Sequence, residues 1–77
     1  MFDYIETMKM GLPKDRVIRI VLLRNDWEVT IKASDDIWDD NDGKLLIIEH
    51  ENGRRVIINI DHISLVCTMT AGVRRYE

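Results

Sequence analysis

The residues able to bind or react are few and unevenly spread through the 77 positions. Five aspartates crowd Ser34 to Gly43, and carboxylates at that density suggest a cation. Asp40, Asp42, Gly43 and Glu49 fall at the third, fifth, sixth and twelfth places of an EF-hand calcium loop. The pattern breaks at its first place, which is Trp38, and Glu49 belongs to an apolar run of strand character where a helix should begin. A solvated acidic loop without metal is the expectation. His50 and His62 are the only imidazoles and Cys67 the only thiol. No Ser-His-Asp or phosphate-loop spacing accompanies them, so neither catalysis nor a cofactor is expected. Arg54-Arg55 and Arg74-Arg75 are the basic pairs, and a charge pair is ordinarily solvated surface. Asn59 and Asp61 flank a tight break between two apolar runs, where Asx side chains readily hold the backbone of a turn.

These residues are carried by a chain that reads as β-rich. Asp3 and Glu6 have the spacing of a capping box and open a short helix over Tyr4 to Met10, stopped by Gly11 and Pro13. Its Ile5, Met8 and Leu12 form one apolar face, which must lie on the sheet that follows. Arg16 to Leu23 is the first strand, and Asn25-Asp26 turns it. Trp27, Val29 and Ile31 alternate with Glu28, Thr30 and Lys32 as a second, half-buried strand. Ser34 to Gly43 shows no strand pattern and reads as a loop. Lys44 to His50 and Arg54 to Ile60 are the third and fourth strands, turned at Asn52-Gly53. Only Asp61-His62 separates the fourth from the fifth, Ile63 to Met69. The predicted fold is therefore mainly β. A short N-terminal helix precedes five strands in a strongly bent antiparallel barrel of the SH3-like kind, over about 16–69, with a tail over 70–77.

Length and composition set the context. One domain of this size is near the lower limit for a core without a disulfide, metal or partner. A single cysteine excludes an internal disulfide, and Cys67 reads as a buried thiol in a reducing, cytoplasmic setting. No charged leader opens the chain, and no apolar run approaches the ~20 residues a membrane span requires. Eleven Lys and Arg against 14 Asp and Glu leave a net charge of -3. Attraction for phosphate must then be local. Leu45 to Ile48 and Val56 to Ile58 are consecutive apolar residues, so those strands have no polar face for water and need cover on both sides.

The order of elements resembles that of Sm-like proteins, the family of Hfq and the LSm proteins. The pieces that carry the resemblance are Lys-Asp-Arg-Val-Ile-Arg-Ile-Val-Leu-Leu after the helix, Trp-Glu-Val-Thr-Ile-Lys-Ala-Ser-Asp, Leu-Leu-Ile-Ile-Glu, and Ile-Asn-Ile-Asp-His-Ile-Ser-Leu-Val. The last is similar to the family's second motif, an apolar strand, a tight polar step and a final apolar strand. The likeness spans nearly the whole chain in pattern rather than identity, and is to a divergent, phage-encoded kind of member. Trp27 to Ala33 lacks the glycine of the first motif, Ile60 stands where the second commonly has glycine, and Asn59 replaces its basic residue.

The resemblance implies a cyclic homo-oligomer in which the fourth strand of one subunit pairs with the fifth of the next. Val56, Ile57, Ile58, Ile60, Ile63, Leu65, Val66 and Cys67 would then form the interface. Closure would remove edges that invite aggregation. It also implies single-stranded RNA as ligand, with Trp38 stacking on a base and Asn41 bonding its edge. Asn59, Asp61 and His62 would form the other half of the pocket, and Arg54 and Arg55 a charged band. The departures from the motifs and the nearby carboxylates, which repel phosphate, support an alternative: an oligomeric interaction module that keeps the fold without binding RNA.

Overall fold

A computed structural model describes residues 1–24 and 27–71. The Asn25-Asp26 turn and Arg74-Arg75 lie outside them. The chain runs through α1 (Phe2–Met10), β1 (Arg16–Leu22), β2 (Glu28–Ile31), β3 (Asp36–Asp40), β4 (Leu45–Glu49), β5 (Arg55–Asn59), a 3-10 turn (Ile60–His62) and β6 (Ile63–Thr70). The strands form two antiparallel three-stranded sheets, ordered β2-β1-β6 and β3-β4-β5.

The helix begins two residues earlier than the capping pattern predicts. Met1 is its N-cap, Asp3 lies inside the first turn, and no side chain caps the N-terminus. Packing outweighs the cap: Ile5 is fully buried, and Phe2, Met8 and Leu12 pack against the same cluster. A helix of nine residues has little stability alone, so its apolar side decides where it sits.

Register explains the core. In the first sheet Ile18 stands opposite Ile31 and Thr68, and Ile20 opposite Val29 and Val66. In the second, Leu46 faces Ile58 and Ile48 faces Val56 and Ile37. Alternate residues of a strand share a face, so these rows turn inward together. Ile5, Ile18, Ile20, Ile31, Leu46, Ile48 and Ile58 form the buried cluster between the sheets. Each isoleucine interred there contributes about 1.5–3 kcal/mol of transfer free energy.

The predicted loop Ser34 to Gly43 is where the structure departs most from expectation. Its Asp36–Asp40 segment is a strand paired with β4 along its whole length, from Asp36 opposite Glu49 to Asp40 opposite Leu45. Aspartates are poor strand formers, but here Asp36, Asp39 and Asp40 are exposed while Ile37 packs on the core. Cross-strand pairing thereby overrides local preference, and the strand count is six rather than five. Trp27 likewise falls outside β2 and is 65% exposed, so the half-buried alternation starts only at Val29.

Candidate functional site

Asp35, in the short connection between β2 and β3, is the one charged side chain buried among the described residues, at 2% exposure. Its carboxylate accepts from the Lys32 backbone N–H at 2.9 Å and the Glu51 backbone N–H at 3.1 Å. His50 Nδ1 lies 3.0 Å from the same group. An ionised carboxylate only accepts, so Nδ1 is the protonated nitrogen, and Nε2 has no partner among the described residues. Burial works to raise the Asp35 pKa, but the Lys32 bond, His50 and the Glu51 bond outweigh it and hold the group below its ordinary value. Asp35 thus staples the β2–β3 bend to the β4–β5 turn.

Open space surrounds this staple. A depression of about 390 Å³ is lined by Lys32, Asp35, His50, Glu51 and Asn52. It shares His50 with a cleft of about 180 Å³ that also includes Glu28, Arg54 and Val56. It shares Lys32 with a third hollow of about 460 Å³ between Lys14 and Ser34. Through these shared residues the three hollows are neighbours.

The residues predicted to bind RNA are divided between the two ends of the second sheet and its outer face. Trp38, Ile47 and Ile57 occupy one cross-strand row. Arg55, two residues from Ile57 and so on the same face of the sheet, places its guanidinium 5.2 Å from the Trp38 ring centre and pairs with Glu49 at 3.4 Å. Asn41 lies in the β3–β4 turn, where Asn41, Asp42 and Gly43 all have positive φ. That turn meets the 3-10 corner, since Leu45 pairs with Asn59 and the Ile60 N–H donates to the Lys44 carbonyl at 2.9 Å. Asn59 caps the corner by accepting from the Asp61 N–H at 2.9 Å, the turn role its type suggests. Asp61 and His62 are exposed beside it, and Arg54 lies at the opposite end, its carbonyl bonded to the His50 N–H. Asn41, Asn59, Asp61 and His62 are therefore brought to one end, Trp38 and Arg55 meet on the outer face, and Arg54 stands apart.

The interface set is similarly mixed. Ile58 is a core residue, Val56, Ile60, Ile63 and Val66 pack against the core, and Ile57 and Leu65 are exposed at 61% and 48%. Cys67 is half-buried rather than buried. It stands opposite Arg19 on the face of β6 turned away from Ile18 and Ile20. Arg19 pairs with Glu28, which raises its guanidinium pKa.

Sequence reasoning missed Asp35 and gave His50 no role. The signal was a single Asp followed fifteen residues later by His, and only the fold shows that both come to one corner. Among the described residues no group of three or more His, Cys, Asp or Glu is placed to hold a metal ion, and no helix is long and apolar enough to cross a membrane. No protein-family model, curated protein or solved structure matches this chain.

Proposed function

We propose that this chain is a small Sm-like barrel whose role is non-enzymatic assembly, with copies joining β5 of one to β6 of the next in a closed ring. The carrying observation is the state of those two strands. Each has a single strand neighbour among the described residues, and each exposes a large apolar side chain, Ile57 on β5 and Leu65 on β6. Edges of this kind pair with another chain, and two different edges on one protomer make a head-to-tail contact that a ring closes. β2 and β3, separated by the Asp35 bend and lying one in each sheet, count in this reading as halves of one bent strand, which restores the five-stranded order of the family. A reducing cytoplasm suits the lone, half-buried thiol. Light scattering is the test: a closed multiple of the 9.1 kDa chain mass is expected, and a monomer at all concentrations defeats the proposal.

RNA binding is a second reading, favoured by the juxtaposition of the Asn41 turn with the Asn59–His62 corner. Opposing it, Asp39, Asp40, Asp42 and Asp61 surround that end, and Arg55 already covers a face of Trp38. Base stacking is worth about 1–3 kcal/mol, while carboxylates so placed repel phosphates. Filter binding to oligo-U and oligo-A at two salt concentrations decides it: salt-dependent retention supports RNA as ligand, and none at either salt rejects it.

A further inference from the structure

Of the four asparagines in the chain, Asn52 alone is followed by glycine. An asparagine carboxamide carbon can be attacked by the next residue's backbone nitrogen, and a glycine there has no side chain to hinder the approach. Asn52 and Gly53 are both exposed, and nothing lies within 4 Å of where a Gly53 Cβ would stand. Residue order and exposure thus mark this turn as the place to lose a side-chain amide. The fold opposes the loss. The Gly53 N–H donates to the His50 carbonyl at 2.8 Å, and the His50 N–H donates to the Arg54 carbonyl at 2.7 Å. Asn52 Oδ1 accepts from the Arg54 N–H at 2.9 Å, which anchors the carboxamide. Just upstream, the buried Asp35 holds both the Glu51 N–H and the His50 ring.

We propose that Asn52 is a deamidation site that the Asp35 staple holds closed. The reaction begins when the Gly53 amide proton passes to a solvent base. The freed nitrogen attacks Asn52 Cγ and forms an N–Cγ bond, while the Cγ–Nδ2 bond breaks and ammonia leaves with a proton from solvent. Water then opens the cyclic imide at either carbonyl, breaking the bond from the Gly53 nitrogen to Cγ or to the backbone carbon. The products are aspartyl and isoaspartyl at position 52, and water is the only co-reactant. In the folded chain the first step is blocked, because the proton that must leave lies in the bond to His50. Hydrogen exchange obeys the same rule, an amide yielding its proton only after its bond opens. By fixing His50 and Glu51, immediately before Asn52, Asp35 sets how often that opening occurs. Conversion adds a negative charge to a hollow that already holds Asp35 and Glu51.

The test follows conversion at position 52 in the intact chain by peptide mapping and mass spectrometry, in mildly alkaline buffer with and without denaturing urea. Native-state exchange of the Gly53 amide is measured beside it. Conversion should be at least about tenfold slower in the folded chain than in urea, where position 52 should convert ahead of the other asparagines. Asp35→Ala should raise native conversion and Gly53 exchange together, by at least about fivefold. Asp35→Asn, which disturbs the staple less, should shift both in the same direction by a smaller factor and serves where the alanine variant does not fold. Gly43→Ala strains the turn at the other end of β4, and should leave both rates within about twofold of the parent. Circular dichroism verifies that each variant is folded in the native buffer. Four results overturn the proposal: equal conversion in the folded and unfolded chain, conversion at Asn25, Asn41 or Asn59 ahead of position 52 in urea, parental rates in the folded Asp35 variants, or equal acceleration by Gly43→Ala, which assigns the opening to global unfolding.

Discussion

Asp35 is the residue whose surroundings most constrain the molecule. Removing its carboxylate leaves the Lys32 and Glu51 N–H groups and His50 Nδ1 without their acceptor at a part-buried corner, and a group left unpaired costs about 1–3 kcal/mol when buried and less where water reaches it. Asp35→Ala is therefore expected to destabilise the fold by about 3 kcal/mol in urea denaturation. Asp35→Asn, which retains one acceptor oxygen, should cost less. The pH dependence follows from the sign of the shift. The folded pKa lies below the unfolded value of about 3.9, so the native state releases this proton more readily. The stability from ionised Asp35 is present in full above about pH 4 and is lost as pH falls through the folded pKa. In Asp35→Asn the acid limb of the stability curve should be shallower than in the parent. At Trp38, Arg55→Gln removes a cation–π contact worth about 0.5–1 kcal/mol at an exposed site. A shift in Trp38 fluorescence with at most that loss of stability is expected.

Among the elements, the β3–β4 hairpin and the β5 and β6 edges have separate roles. Gly43 sits at φ +82 with only ordinary van der Waals contact, at 3.7 Å, awaiting an added methyl. Gly43→Ala should therefore cost about 1–2 kcal/mol of thermal stability through backbone strain alone. Its circular dichroism spectrum should keep the parent's shape. Ile57 and Leu65 are 61% and 48% exposed in the single chain. Ile57→Asp or Leu65→Asp should change monomer stability by less than about 1 kcal/mol, while dissociating the β5–β6 assembly in light scattering. If both variants keep the parent mass, that interface is wrong. Much at this scale is legible from residue order. β1, β4, β5 and β6 are β-branched runs whose bounds move by only a residue or two, because such runs suit a pleated surface wherever they lie. β3 is not legible, since Asp-Ile-Trp-Asp-Asp has the composition of a loop and becomes a strand only because β4 supplies its hydrogen-bond partners.

At the scale of the whole molecule, the net charge of -3 is unevenly spread: Asp39, Asp40 and Asp42 are exposed at the hairpin tip, whereas the hollows around the bend carry both signs, Lys14, Lys32 and Arg54 with Glu28, Asp35 and Glu51. Alternation, turn residues and apolar runs determine by themselves that the chain is mainly β, that a short amphipathic helix precedes the strands, and that β4 and β5 are apolar beyond what one core requires. These are properties of neighbouring residues, and local stereochemistry is sufficient to express them. The tertiary structure alone decides that Ile57 faces outward while Ile58 is interred, that Trp38 meets Arg55, and that Asp35 joins His50 and Glu51 across fifteen and sixteen positions. Such contacts depend on cross-strand register and on how the bend at Lys32–Asp35 folds one sheet over the other. No local pattern encodes that angle, because it is set by the packing of side chains far apart in the chain.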